Sequence, residues 1–312
     1  MKKIKSPINY TGNKYRLLEQ IQPHFPEKVG TFVDLFCGGA TVGFNVDAEK
    51  VILIDNNKYV IGLLEHLAGQ QYEDIKLKLE EIIEKYHLSY SAKYSYKFYK
   101  DQIDEPGNNG LKKYNEVGYY TLRNDYNHLQ SKFTPDAMNM LYILMVYGFN
   151  NDIRFNAKGD FNLPAGKTDL NQTNLNKLKE YFERAQKINY KFVCGDFKEE
   201  RIQSVIKGAD FVYADPPYLI TDAVYNEAGG WTEKDETDLI ELLTDLKNTG
   251  KKFVLSNIAS KTDMQNLYLS EWIEKEKDIR MVELKYNYAS STYNKKNRYC
   301  EEKEVIVEVK ND

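Results

Sequence analysis

Cysteine and histidine are both scarce in this 312-residue chain, with three of one and four of the other. Cys37, Cys194 and Cys300 lie far apart and share no ligand spacing, which argues against a disulfide framework and a zinc site, so no metal is expected. His24, His66, His87 and His128 form no motif and read as surface or helix residues. No apolar run approaches the length of a membrane span. The opening "MKKIKSPINY" has charge but no apolar stretch behind it, so it does not read as a secretory signal. These absences lead to the expectation of a reduced, cytoplasmic protein with no membrane partner. Basic excess is missing too: 43 Lys and Arg face 47 Asp and Glu, for a formal net charge of −4. A polyanionic partner would therefore need the cations gathered on one face. Proline is sparse, eight in all, yet Pro216 and Pro217 are adjacent.

What is abundant is tyrosine, 25 residues, many in segments that also carry Lys, Arg or Asn. Such side chains suit a wet interface. Five short apolar runs end in polar or glycine punctuation: "TFVDLF" before "CGGA", "VILI" before Asp55, "KFV" before "CGD", "FVYA" before "DPPY", and "KFVLS" before Asn257. Helical patterns separate several of them, around 57–67, 198–207 and 232–248. Strand, polar tip and helix in repetition predict an α/β fold with a mainly parallel sheet and all five tips along one edge, where ligands gather. "RMVELKYNY" and "EVIVEV" near the end, with no helix between them, predict a C-terminal antiparallel hairpin.

Between roughly 70 and 188 the pattern changes to helices, about 73–87, 114–130 and 135–147. A long Asn- and Gly-rich stretch follows, "GFNNDIRFNAKGDFNLPAGKTDLN". A loop of that length is either disordered or functional. The expected organisation is residues 1–69 and 189–312 as a catalytic domain, with 70–188 as an inserted, mostly helical second domain.

Gly38 and Gly39 follow a strand and precede a probable helix, where glycine lets backbone approach a ligand and present its amides. The pattern is neither a dinucleotide GxGxxG nor a Walker A loop. Asp55, ending the next strand, is placed to accept hydrogen bonds from a ribose diol, so a cofactor with ribose and no pyrophosphate fits better than NAD. In "NYTGNKYRLL", Lys14 just before a helix would neutralise a carboxylate; on this segment alone it reads as a solvent-facing lysine.

In their order, "NYTGNKYRLL", "FVDLFCGGATVGF", "VILIDNN", "CGDF", "YADPPY" and "FVLSN" resemble the Dam-type, alpha-group DNA adenine-N6 methyltransferases, over about 5–309. The resemblance implies the Rossmann-like fold of S-adenosylmethionine-dependent methyltransferases, with 70–188 as target-recognition domain. It also implies S-adenosylmethionine as cofactor. Tyr10 and Lys14 would belong to the first cofactor motif. Phe36, Gly38 and Gly39 would line the methionine moiety, Asp55 would hold the ribose, and Asp196 with Phe197 would flank the adenine. For Phe36 and Phe197, ordinary core packing is the competing reading.

The chemistry explains "DPPY". The exocyclic amine of adenine is a poor nucleophile because its lone pair is delocalised into the ring. Asp215 accepting one amino hydrogen and the Pro216 carbonyl accepting the other would favour a pyramidal nitrogen and stabilise its developing positive charge. Pro216 and Pro217 fix two φ angles and hold that carbonyl in place. Tyr218 offers a face on which the base stacks. A base inside a duplex must be flipped out to reach such a pocket.

Phe149 would fill the gap left by the flipped base, and Arg154 would contact guanine in the major groove. "RFNAKGDFNLPAGK" resembles the recognition segment of relatives that methylate GATC and related GAT-containing sites, with Asn150, Arg154 and Pro164 at matching positions. The same run also reads as a hairpin with a glycine turn. Three positions depart from the family: Asn9 stands where lysine is frequent, Asp152 where an apolar residue is common, and Val146 where arginine is frequent. These bear on which bases are read. The basic "SSTYNKKNR", 290–298, is either a phosphate contact or a solvated linker. The expected partner is double-stranded DNA, met by a monomer acting on one strand at a time, with any cognate restriction endonuclease acting separately. An RNA adenine methyltransferase and a catalytically silent DNA-binding relative are the alternatives. Cytosine-N4 and protein-glutamine methylation would favour Ser and Asn in place of Asp215.

Overall fold

The computed structural model describes residues 2–103, 108–220, 230–285 and 302–310. Cys300 and the basic run 290–298 lie outside the described residues. The strands are β1 (Thr31–Leu35), β2 (Lys50–Asp55), β3 (Tyr190–Cys194), β4 (Phe211–Ala214), β5 (Lys252–Lys261), β6 (Met264–Gln265), β7 (Ile279–Glu283) and β8 (Glu302–Val309). The helices begin with α1 (Leu18–Ile21), α2 (Lys58–Gly69), α3 (Tyr72–Lys85), α4 (Ser91–Tyr94), α5 (Tyr96–Lys100) and α6 (Lys112–Asn127). They continue with α7 (Pro135–Tyr147), α8 (Gln172–Ala185), α9 (Glu200–Lys207), α10 (Glu233–Asn248) and α11 (Leu267–Lys275). Two compact units result. One holds Met1–Asn13, Gly38–Asn45 and Asn57–Ile188; the other holds Lys14–Cys37, Val46–Asn56 and Asn189–Asp312.

The second unit contains the sheet, in the order β3-β2-β1-β4-β5-β8-β7. Strands β1 to β5 pair parallel, while β8 is antiparallel to both β5 and β7. The expected Rossmann-like parallel sheet with a C-terminal antiparallel pair is the one observed. Alternation along the strands sends Val33, Leu35, Ile52, Ile54, Val212, Ala214, Phe253 and Leu255 to one face, where they join Ile202 and Ile206 of α9, Leu239 and Leu243 of α10, and Trp272 of α11 in one core. Helix α10 starts where it does because Thr232 and Asp235 form a capping box. The opposite face carries Phe32, Phe211 and Tyr213, around which the ring of Phe25 packs edge-on at 5.3–5.7 Å.

One strand differs from expectation. β5 does not stop at Asn257 but runs on to Lys261, through a register shift between Ile258 and Ser260. Two antiparallel partners, β8 and β6, satisfy its extra backbone groups. Asn257 is buried rather than a polar tip at the edge, because its amide donates to the buried carboxylate of Glu236 at 2.9 Å.

The first unit is helical. Ten of the thirteen residues of α7 are buried, as its nearly all-apolar sequence requires of a helix packed on every side. Thr134 caps it and Pro135 opens it. Asn139, buried mid-helix, is satisfied by His66 of α2 at 2.9 Å. Helices α2, α3 and α6 pack against α7. Helix α8 buries Leu175, Leu178 and Tyr181, and Tyr181 stacks on Phe44 at 4.3 Å. No helix among the described residues is long and apolar enough to cross a membrane.

Candidate active site

Because β1 to β4 are parallel, their carboxyl ends share one edge, and backbone bonds tie those ends together beyond the strands. Cys37 N–H donates to the Ile54 carbonyl at 2.9 Å, Gly195 N–H to that of Asp55 at 3.0 Å, and Asp215 N–H to that of Leu35 at 3.1 Å. Phe36, Asp55, Asp196 and Asp215 are therefore brought to neighbouring strand tips, as the punctuation predicts for these four strands. Asp55 itself is buried and faces the neighbourhood of Cys37, whose thiol is pushed well up by burial and then by Asp55 and Asp34.

Asp215 is the centre of a polar cluster. Lys14 Nζ lies 3.0 Å from its Oδ1, and the Tyr218 hydroxyl donates to the same oxygen at 2.9 Å. Oδ2 accepts no hydrogen bond among the described residues. Glu304 of β8 completes the group, with Oε1 3.5 Å from Lys14 Nζ and 3.3 Å from the Tyr218 hydroxyl. Lys14 also sits over the Tyr218 ring, 5.1 Å from its centroid. Its side chain is 5% exposed, so it is not the solvent-facing lysine that its segment alone suggests. The short 3-10 turn Lys14–Arg16 turns it inward, and two carboxylates compensate its burial.

Burial raises the Asp215 carboxyl above its ordinary value; the Lys14 charge and hydrogen bond pull it back, and Glu304 adds to the rise. Burial alone would lower the Lys14 ammonium, but the charges of Asp215 and Glu304 outweigh it and leave Lys14 raised. Tyr218 is raised well above the phenol range by burial, then by Asp215 and Glu304. At neutral pH Lys14 is therefore an ammonium and Tyr218 a neutral phenol.

Between Phe36 and Ala40 the backbone is strained. Phe36, Gly38 and Ala40 all have left-handed φ, at 61°, 47° and 57°. In the first unit, the Tyr10 ring lies so close to Gly38 that a Cβ there would meet it at 2.5 Å, and a Cβ on Gly39 would meet Ser6 Oγ at 3.0 Å. Glycine at 38 is thus required twice, by φ and by Tyr10.

Phe36 and Phe197 pack edge to face at 5.4 Å, and both meet Trp231, at 5.4 and 5.6 Å. Phe197 is buried in the core cluster, so the packing reading holds for it whatever else it does; Phe36 and Trp231 remain partly exposed. Trp231 escapes sequence reasoning because it lies far along the chain from the glycine loop and belongs to no motif. Its indole donates to Glu236 at 2.6 Å, and Glu236 also accepts from Asn257 and Asn266. Asp196 accepts from Lys198 N–H at 2.9 Å, which shapes the turn after β3.

The long Asn- and Gly-rich stretch is an ordered hairpin within the first unit. Gly148 bridges Ala165, Phe155 bridges Phe161, and the turn passes through Gly159 at φ 80°. Helix α6 clamps one arm: Asn127 both donates to the Phe161 carbonyl (3.0 Å) and accepts from its N–H (2.8 Å), while Tyr119 and Arg123 donate to the Leu163 carbonyl. Tyr59 stacks on Phe155 at 3.6 Å. Asn9 and Asn150 meet, the Asn9 amide donating to the Asn150 carbonyl at 2.9 Å. Phe149 is 48% exposed, and its N–H donates to the Pro164 carbonyl at 2.9 Å. Arg154 is exposed, its Nε held by Asn162 at 2.8 Å. Asp152 accepts from Ile153 N–H, and burial raises its carboxyl. Val146 is buried in α7.

Residues 10–282 match the family described as D12 class N6 adenine-specific DNA methyltransferase. The type II methyltransferase M.FokI of Planomicrobium okeanokoites is 35% identical over 93% of this chain and 41% of its own length. The modification methylase StsI of Streptococcus sanguinis is 31% identical over 96% of this chain and 42% of its own. This chain thus spans about two-fifths of the length of those two relatives. A DNA adenine methylase of Escherichia coli (strain K12) is 27% identical, over 93% of this chain and 91% of that protein. With most of its length matched, from the Tyr10 segment past the strand-tip carboxylate Asp215, this chain belongs to the D12 class of N6 adenine-specific DNA methyltransferases.

Proposed function

We propose that this protein transfers a methyl group from S-adenosylmethionine to N6 of a flipped-out adenine in duplex DNA, at GATC or a related GAT-containing site. One observation carries the reading: Lys14 and Tyr218 both engage Oδ1 of Asp215, which leaves Oδ2 to accept an amino hydrogen. The left-handed backbone at Phe36, Gly38 and Ala40, with the Tyr10 ring packed against Gly38, supports a tightly shaped cofactor loop. S-adenosylmethionine, when bound, supplies an electrophilic methyl group on a sulfonium. Tyr10, Phe36, Gly38, Gly39, Asp55, Asp196 and Phe197 are the residues proposed to hold it, with Lys14 acting on the carboxylate of Asp215.

Asp215 Oδ2 and the Pro216 carbonyl take the two amino hydrogens, so the nitrogen lone pair is freed from conjugation and aimed outward. As the new N–C bond forms and the C–S bond breaks, positive charge grows on N6. Asp215 stabilises it, and one amino proton then leaves to solvent. No strong base is needed, because the alkylated amine is acidic until it loses that proton. Pro217 stiffens the turn and Tyr218 stacks on the base. Residues 70–188 serve as the target-recognition domain, with Asn9, Phe149, Asn150, Asp152, Arg154 and Pro164 reading or wedging the DNA. The enzyme acts as a monomer, and any restriction endonuclease works separately.

The test is to incubate the protein and S-adenosylmethionine with unmethylated genomic DNA and map N6-methyladenine by single-molecule sequencing. Methyladenine at one recurring GAT-containing motif is expected, with loss of about a hundred- to a thousandfold in Asp215→Ala. Modification of RNA alone, or at cytosine, would refute the assignment.

A further inference from the structure

Glu304 has no part in the steps above, yet it touches both groups that hold Asp215. Three acidic residues lie on β8, and Glu308 already has Arg280 and His24 as partners. Glu304 is 4% exposed and points its Oε1 at Lys14 Nζ and at the Tyr218 hydroxyl. Tyr218 has one proton for two carboxylates. Lys14 has one charge for the same two. A Lys14–Asp215 pair by itself is neutral and presents little field to an amine becoming positive. With Glu304 ionised, the described groups Lys14, Asp215, Glu304 and Tyr218 together carry a net negative charge. Among the described residues Tyr213 also faces Asp215; its hydroxyl bonds Ser256 at 2.8 Å, and it feels the charge of Asp34 on β1.

We propose that Glu304 is a positioning residue for methyl transfer: it shares Lys14 and Tyr218 with Asp215, so that Asp215 is held through Oδ1 but not neutralised. The assignment rests on the adenine-methylation reading. Without the Glu304 charge, Lys14 belongs to Asp215 alone. The carboxylate is then easier to ionise and a weaker partner for the positive nitrogen.

The experiment compares single-turnover methylation by the wild-type protein and by Glu304→Gln across pH, on a duplex that the wild type methylates. Glu304→Gln is expected to lose about ten- to a hundredfold in rate near neutrality. Its acid limb should move to lower pH by about half a unit or more, because a like charge near Asp215 is gone. S-adenosylmethionine affinity by calorimetry should stay within about twofold of wild type, since interactions made only in the transition state do not alter ground-state binding. A merely structural glutamate would leave the limb where it is. An unmoved limb with unchanged rate in an active wild-type background overturns this role and leaves adenine methylation standing. A wild type that methylates no DNA overturns both. If Glu304→Gln does not fold, Glu304→Met, which also removes the carboxylate at similar side-chain volume, carries the same comparison, and an unshifted limb there overturns the role equally.

Discussion

At the scale of single residues, the glycine loop is tighter than its sequence reveals. Gly38 sits at φ 47° with the Tyr10 ring where a Cβ would be. Gly38→Ala therefore combines left-handed strain with a clash, and is expected to cost about 1–3 kcal/mol of stability. Tyr10→Ala should recover part of that loss, so the double variant will be less unstable than the sum of the singles. Urea melts of the four proteins in the cycle give the coupling directly; additive losses would mean that Tyr10 does not press on the loop.

The Asp-Pro-Pro-Tyr tip was legible because a carboxylate and two prolines ending a buried run have few other uses. Glu304 was not. It stands in "CEEKEVIVEV", where acidic residues crowd together, and only the pairing of β8 with β5 and β7 tells which of them turns inward. Lys14 reads as exposed in its own segment for a related reason: a charged residue in a polar segment shows its partner only when a distant strand arrives.

At the scale of elements, the hairpin 148–166 is fixed from outside. Its own ladder has only two bridges, too few to hold a hairpin alone. The reciprocal bonds of Asn127 with Phe161, and the stack of Tyr59 on Phe155, supply the missing support. Asn127→Ala leaves both backbone groups of Phe161 unpaired there, at a cost of about 1–3 kcal/mol. Methylation assays on this variant should show a raised KM for DNA with cofactor affinity unaltered. An unchanged KM would indicate that the hairpin does not read DNA. Long periodic helices such as α2, α7 and α10 were readable to within a few residues. Helix α8 was missed because it follows directly on the Asn-rich stretch and its polar face dominates, and α4 and α5 are too short to show a period.

At the scale of the whole molecule, the parallel order of five strands followed from alternating apolar runs and helices, and the final antiparallel strands from the lack of a helix between them. The extent of β5 did not, since its last residues gain their partners from β6 and β8. Stability as a whole should carry a mark of His66. Burial lowers its pKa below the ordinary histidine value, against the opposing hydrogen bond with Asn139. A lowered folded-state pKa means stability that is present above the unfolded value and lost as pH falls through the folded one. The thermal midpoint should therefore drop as pH is taken from about 7.5 to about 5.5, the range in which an unperturbed histidine titrates. His66→Gln should flatten that drop. A slope equal to that of the wild type would assign it to other groups.

Strand β8 follows β7 in the chain but lies between β7 and β5 in the sheet. During synthesis, then, two strands wait with open edges for a third that has not yet been made. The same late strand delivers Glu304. Order of translation and assembly of the charge cluster are thereby coupled: a nascent chain interrupted before Glu302 has its hairpin 148–166 and its "DPPY" encoded, yet lacks the residue that keeps Lys14 from cancelling Asp215.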